Sequence, residues 1–252
     1  MMKVIKLGGR VQSEPELARV LAALWNSEPG SLCIVHGGGD EISMLQRALG
    51  REPTFVNGRR ITSVEDIDLV RMVLSGSANK RVVSALHEAG IQAVGISGED
   101  GALLSAEPID TEKFGRSGKP VAADVRVINS LVESGFLPVI SPVGFDVSSS
   151  EALNVNGDDA AALIAGALGA ELWMIADVPG VMDANREVIY ELDQSKTESL
   201  VADGTVTSGM RAKLEAGFHA LASGASKVRI ADLNALRGAE TGTLLSLTPS
   251  MT

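Results

Sequence analysis

The sequence predicts an α/β fold, a mainly parallel sheet covered by helices on both faces. Three observations predict it. Short β-rich runs alternate with longer stretches of helical spacing along the whole chain. The first two of these runs end in glycine clusters. And 252 residues, 45% of them hydrophobic, can bury a real core in one compact unit or two small lobes.

The elements follow in order. Residues 3–7, KVIKL, form the first expected strand, ending at Gly8 and Gly9. Residues 14–25, EPELARVLAALW, have helical spacing, with Ser13 as the expected N-cap and Pro15 in the first turn. SLCIVH, 31–36, is the second strand and runs into Gly37, Gly38 and Gly39. DEISMLQRAL, 40–49, is helical. TFVNGRRIT, 54–62, is a hairpin, because Asn57-Gly58 is a strong two-residue turn signal. Ser63 can cap one long helix through His87. Further strands are expected at 91–97, 137–141, 172–176 and 227–231, with helices near 126–134, 158–169 and 207–223 between them. Residues 100–125 mix charges, Gly, Pro and short apolar pieces and read as a second hairpin on the surface. No internal repeat, low-complexity linker or sharp domain boundary interrupts the chain.

Composition narrows the function. The formal net charge of −10 argues against a nucleic-acid surface, which needs clustered Lys and Arg. It also poses a local problem, since a polyanionic substrate would require a few cations focused in one cleft. The lone cysteine, Cys33, lies in an apolar run and is expected in the core. With no partner it forms no internal disulfide, which fits a reducing cytosol. The start MMKVIKLGGR lacks the apolar segment of a signal peptide, and no run reaches the roughly 18 apolar residues of a membrane helix. The expectation is a soluble cytoplasmic protein that binds neither nucleic acid nor membrane.

In open α/β sheets ligands bind beyond the carboxyl ends of the strands. Gly8-Gly9 and the triple glycine follow the first two strands, where backbone N–H groups can approach an anion without a Cβ in the way. Either loop alone is also explained as an ordinary strand-to-helix turn. No G-x-x-x-x-G-K-[ST] occurs, and GGGDEI fails the G-x-G-x-x-G spacing. Positive charge must come from elsewhere. Lys6, between Ile5 and Leu7 near a strand end, must find an anion or reach water. Lys213, near the start of a helix, is a second candidate or a surface lysine. Residues 152–161, ALNVNGDDAA, carry four short polar side chains at a helix start. If this segment enters extended, Asn154, Asn156 and Asp158 share one side. A helix cap with an Asx turn accounts for only one or two of the four. His36, His87 and His219 read as structural or surface residues.

IKLGG, VHGGG, NGRRIT, INSLVESGFLPVIS, LNVNGD, ADVPGVMD and GMRAK occur in this order, and with them the whole chain resembles the acetylglutamate kinases of the amino-acid kinase family. The resemblance implies an open αβα sandwich as one amino-acid kinase domain over 1–252. Its N-lobe, about 1–153, would bind the amino acid, and its C-lobe, about 154–252, the nucleotide. It implies ATP-dependent phosphorylation of the side-chain carboxylate of N-acetyl-L-glutamate to N-acetyl-L-glutamyl 5-phosphate, the second step of arginine biosynthesis. Lys6 and Lys213 would stabilise the transferring phosphoryl group, and Asp158 would hold both ammoniums. Gly8, Gly9 and Gly37, with Gly38 and Gly39, would cradle phosphate and the reacting carboxylate. Arg60 would pair with the substrate α-carboxylate, Asn154 would bond its acylated amino end, and Asn156 would support the site. Asp177, Val178, Pro179, Gly180, Val181 and Met182, with Thr205, Val206 and Thr207, would surround the nucleotide. Magnesium would arrive with ATP, held by phosphate oxygens and water, with no dedicated protein metal site.

The chain departs from the family pattern at four places. Gly157 stands where alanine is usual, Ala176 where Ser or Thr is, Ser208 where Gly or Asp is, and Arg59 where an apolar residue is. The resemblance also implies a homodimer insensitive to arginine, since the chain starts almost at the first strand. Two other functions stay open at this point. One is a kinase for a carrier-protein-linked aminoadipate or glutamate. The other is a catalytically silent ligand sensor on the same fold.

Overall fold

The computed structural model describes residues 1–56, 58–206, 208–238 and 241–247. In chain order its strands are β1 (Lys3–Leu7), β2 (Leu32–His36), β3 (Phe55–Val56), β4 (Arg59–Arg60), β5 (Ala93–Ser97), β6 (Leu104–Pro108), β7 (Ser117–Ala123), β8 (Leu137–Ser141), β9 (Val143–Asp146), β10 (Ala152–Val155), β11 (Glu171–Ile175), β12 (Glu191–Leu192), β13 (Lys227–Ala231) and β14 (Thr243–Leu245). Its α-helices are α1 (Leu17–Ser27), α2 (Gly39–Ala48), α3 (Asp66–Arg71), α4 (Asn79–Glu88), α5 (Thr111–Phe114), α6 (Arg126–Glu133), α7 (Gly157–Leu168), α8 (Gln194–Ala202) and α9 (Ser208–Ala222).

Eight strands form the main sheet in the order β12-β14-β13-β11-β1-β2-β8-β5. Every pairing in it is parallel except β13 with β14. The strands are apolar on both faces because both faces are covered. Alternation along β1 sends Val4 towards α7 and sends Ile5 and Leu7 towards α1. Cys33 and Val35 of β2 join the α7 side with Ala160, Ala161 and Ile164. Leu32 and Ile34 pack with Leu17, Leu21, Trp25 and Leu86 on the other. Cys33 is fully buried, and burial pushes its thiol up.

Three local expectations need correction. Ser13 does not cap α1, because residues 10–13 wind into a separate 3-10 turn and the helix begins at Leu17, after Pro15. The helix expected from Ser63 to His87 runs unbroken from Asp66 to Glu88, with Ser63 Oγ accepting from the Asp66 N–H at 3.1 Å, but its middle is not α-helical. Met72–Ala78 is a π-helical stretch between α3 and α4, a wider turn of the kind found beside functional sites. It carries Leu74 against the glycine loop, where a Cβ on Gly38 would lie 2.7 Å from Leu74 Cδ2. The hairpin at 100–125 forms as β6 and β7, but it is no surface feature. It closes a four-stranded ring with β9 and β10, and Leu104 and Ala106 are buried there. Gly118 in that ring must be small, because a Cβ would sit 2.9 Å from Leu153 Cβ. The hairpin at 54–62 is present as β3 and β4, with Gly58 at a φ of +76°. Asn57 lies outside the described residues.

His36 ends β2 with its side chain fully buried. Nδ1 donates to the Gly37 carbonyl at 2.8 Å, and Nε2 accepts from Asn79 Nδ2 at 3.1 Å, the network that assigns the neutral tautomer. Burial pushes the imidazole down to about 4. The folded state therefore refuses a proton that the unfolded chain accepts below its ordinary value of 6.5. This stability is fully present above pH 6.5 and is lost as pH falls towards 4, by about 3 kcal/mol in all. Urea midpoints between pH 7.5 and 4.5 should fall more steeply for the native chain than for His36→Gln. Parallel curves would remove His36 as the cause.

Candidate active site

The alternation that buries Val4 turns Lys6 to the same face, towards the first turn of α7. There Lys6 Nζ lies 2.8 Å from Asp158 Oδ1. From the other side Lys213, on α9, donates to both carboxylate oxygens at 3.1 and 3.0 Å. Asp158 is held for this by its helix. Asn156 caps α7, its Oδ1 accepting from the N–H of Asp158 at 2.8 Å and of Asp159 at 3.4 Å. So Asn156 acts first as a cap, and Asp158 projects from the turn it fixes.

The three charges are interdependent. The Lys6 and Asp158 side chains are only 8% and 10% exposed. Burial alone would push the Asp158 carboxyl up, but the ammoniums of Lys6 and Lys213 bring it down to about 2. Lys213 is lowered, first by burial and then by repulsion from Lys6. A carboxylate shared by two ammoniums leaves one net positive charge at the site.

A cavity of about 180 Å³ opens beside this triad. Its walls include Lys6, Gly37, Gly38, Gly39, Arg60, Asn154, Asn156 and Asp158. Thus eight of the residues singled out in the sequence meet at one cavity. The helices α2 and α7 both start at it, with the positive ends of their dipoles towards it. The glycines divide by task. Gly8 N–H donates to the Ile175 carbonyl and Gly37 N–H to the Leu7 carbonyl, so both extend the sheet. Among the described residues the N–H groups of Gly38 and Gly39 have no such partner at the cavity wall.

Arg60 is 7% exposed and heavily engaged. It donates to the Gly39 carbonyl at 2.6 Å, to Ser43 Oγ at 2.8 Å and to Gln46 Oε1, and it stacks on Phe55 at 4.6 Å. Gln46 continues the chain to Asp66 at 2.9 Å, and Arg51 closes it at 2.7 Å. Arg60 therefore fixes the glycine loop as well as facing the cavity. Asn154 Nδ2 donates to Thr62 Oγ1 at 2.9 Å. Ser117 Oγ donates to the Arg60 carbonyl at 2.5 Å and lies 3.2 Å from Thr62 Oγ1. Sequence reading missed Ser43, Gln46, Thr62, Ser117 and Gly118, since each is a short polar or glycine residue with no spacing signal. Only the burial of their elements exposes their part.

The other expected residues lie apart from the cavity. Gly8 and Gly9 follow β1, and Arg10 next to them pairs with Asp177 at 2.9 Å. The parallel pairing of β1 with β11, Leu7 opposite Ile175, sets the loop after β11 beside the loop after β1. Asp177 and Pro179 are exposed, Val178 and Met182 half-buried, and Gly180 and Val181 buried. Val181 N–H donates to Thr243 Oγ1 at 2.8 Å, and a Cβ on Gly180 would meet Thr243 Oγ1 at 2.9 Å. Thr205 and Val206 precede α9, with Val206 N–H bonded to the Leu200 carbonyl at 2.9 Å. Thr207 lies outside the described residues. Gly157 leaves ordinary contact room, since a Cβ there would lie 3.4 Å from Lys6 Cε.

Comparison with known proteins agrees with this architecture. Residues 1–232 match the model of the amino acid kinase family. The acetylglutamate kinase of Paracoccus denitrificans (strain Pd 1222) is 42% identical over 233 residues, covering 91% of this chain and 76% of that protein. The acetylglutamate kinase of Geobacillus kaustophilus (strain HTA426) is 40% identical over 229 residues, covering 90% and 88%. The solved structure of smu.665 from Streptococcus mutans UA159 superposes with a TM-score of 0.87 at 27% identity, covering 97% of this chain and 98% of that one. With its lysine-flanked aspartate, glycine-lined cavity and near-complete match, this chain belongs to the amino acid kinase family, in its acetylglutamate kinase branch.

Proposed function

We propose that the protein transfers the γ-phosphoryl group of ATP to the side-chain carboxylate of N-acetyl-L-glutamate, giving N-acetyl-L-glutamyl 5-phosphate and ADP in arginine biosynthesis. The observation that carries this reading is the buried Lys6–Asp158–Lys213 triad at the glycine-lined cavity. A carboxylate oxygen attacks the γ-phosphorus, and the bond to the β-phosphate oxygen breaks with ADP leaving. The attacking carboxylate is already ionised near pH 7, so no general base is required. Charge spread over the phosphoryl oxygens is the main demand, and positioned cations meet it. Lys6 and Lys213 supply them from two sides. Asp158 keeps the two ammoniums together without contacting the phosphoryl group.

Arg60 and Asn154 are proposed to hold the amino-acid substrate, with Gly38 and Gly39 N–H groups on its reacting end. Gly8, Gly9 and Gly37, residues 177–182 and Thr205, Val206 and Thr207 are proposed on the ATP side. Magnesium is proposed to arrive on the nucleotide, where it would offset phosphate charge. No described helix is long and apolar enough to cross a membrane. We place the protein in the cytoplasm as a homodimer, and sedimentation at the monomer mass would overturn the latter.

Hydroxylamine traps the acyl phosphate directly. With ATP and magnesium, hydroxamate should form from N-acetyl-L-glutamate and not from glutamate, aspartate or N-acetylaspartate. Absence of hydroxamate from every free amino acid would sink the reading. Asp158→Asn should lower kcat by ~10²–10³, because it unsettles both positioned cations and the loss of one such transition-state donor costs about that much. It should also move the alkaline limb of the kcat profile to lower pH. Removing the carboxylate removes what raises Lys213, while burial and Lys6 continue to lower it. A limb that stayed in place would separate Lys213 from the reaction. Arg60→Lys should raise KM for the amino acid about tenfold, because an ammonium cannot replace the planar fork.

A further inference from the structure

The β3–β4 hairpin crosses between two helix starts. It belongs to neither large sheet, and among the described residues its two strands pair only with each other. Successive side chains on a strand point to opposite faces. Arg60 points to α2, where it holds Gly39, Ser43 and Gln46. Arg59 points the other way, to α7, where its Nη1 lies 2.7 Å from Asp159 Oδ2. The adjacent arginines thus tie one short strap to both sides of the substrate cavity, whose wall includes Gly58, Arg59 and Arg60.

The α7 tie is built at some cost. Asp159 is half-buried beside the ionised Asp158, and desolvation raises its carboxyl above the ordinary range while Arg59 opposes the rise. Asp159 Oδ2 has no hydrogen bond among the described residues, and the Arg59 guanidinium is its one ion-pair partner there. Asp159 also sits in the first turn of α7, where the dipole favours a carboxylate, but a dipole alone would not require Arg59. Behind the pair lies a second cavity of about 260 Å³, which shares Gly58, Arg59 and Asn156 with the first and is otherwise lined by residues such as Lys119 and His219. Arg59 lines both spaces, and Asp159 lines the second.

We infer that Arg59 is a positioning residue for the amino-acid substrate, acting through Asp159 to hold the β3–β4 strap closed over the cavity. This rests on the proposed function for its kinetic consequence, though the tie itself does not. Arg59 reaches neither the triad nor the glycine loop by any contact described above, so it should act on substrate retention rather than on phosphoryl transfer.

The test compares Arg59→Leu, Asp159→Asn, the double variant and Arg59→Lys. Hydrogen exchange in the ligand-free protein reads, without any turnover, how well the tie keeps the strap ordered, at the Ile61 amide that bonds the Thr54 carbonyl across the base of the hairpin at 2.9 Å. Exchange there should quicken at least fivefold in both single variants. KM for N-acetyl-L-glutamate should rise about tenfold in each, with kcat within twofold. The double variant should lose no more than either single one, because both remove the same contact. Arg59→Lys should recover most of the KM. Unchanged exchange would overturn the tie, and quickened exchange with unchanged KM would overturn the positioning role. Additive losses would overturn the coupling. If the native chain turned over no substrate, the activity reading would fail, and the exchange result would still decide the tie. Should Arg59→Leu fail to fold, Asp159→Asn and Arg59→Lys carry the same comparison.

Discussion

One buried carboxylate between two ammoniums organises this protein. Two lysine side chains cannot share a desolvated space without an anion, because their repulsion grows as water is removed. Asp158 supplies that anion at 2.8 Å from Lys6 and 3.0 Å from Lys213. The three residues come from β1, α7 and α9, which are far apart in sequence. Their meeting demands that β1 lie inside the sheet, next to β11 and β2, and that α7 cover the face to which Lys6 points. The parallel order of the central strands then follows as the scaffold that delivers strand ends, helix starts and glycine turns to one edge.

The division of labour among the glycines comes from the same geometry. Gly8 and Gly37 continue the ladder by one hydrogen bond each, so their small size serves the backbone path. Gly38 and Gly39 leave the ladder and open α2, and Arg60 holds the Gly39 carbonyl in place. The π-helical stretch adds the constraint on Gly38, since its Leu74 occupies the volume a side chain would need. That same stretch sets the phase of α4, so that Asn79 turns inward to His36 and to the Val139 carbonyl at 2.9 Å. A buried histidine next to the glycine loop is thereby a support for β2 and β8 rather than a proton carrier.

The central strands were legible in the sequence because apolar runs of five residues flanked by glycine have few alternative readings. The meeting of Lys6 with Asp158 and Lys213 was not legible from spacing, which places Asp158 at a helix start and says nothing of what faces it. It entered through resemblance, and the geometry supplies the contact. The failures share a cause. Ser13 satisfies every local rule for a cap, yet residues 10–13 turn separately, with Val11 buried in the core beside Leu7 and Leu17. Residues 66–88 do form one continuous helix, and only its wide π-helical middle is invisible in the spacing, because the helical period tolerates it. The β6–β7 hairpin looked solvent-exposed because its charged residues mark its outer face, while Leu104 and Ala106 alternate inward. In each case tertiary contact decided among conformations that local sequence permits equally.

An acidic chain can still present a cationic site if its few positive groups converge. Lys6, Lys213, Arg59 and Arg60 contribute four positive charges about the cavity, and Asp158 and Asp159 contribute two negative ones, so the difference is +2 in a molecule whose total is −10. The starts of α2 and α7 add partial positive charge at the same place. Low exposure of the Lys6 and Asp158 side chains raises the strength of each of these interactions relative to water. The surrounding negative surface repels anions in general, and the local field acts only on a group that enters the cavity. A ligand with two separated anionic ends therefore gains more than one with a single end. One end can meet Lys6 and the glycine N–H groups while the other meets the face that carries Arg60.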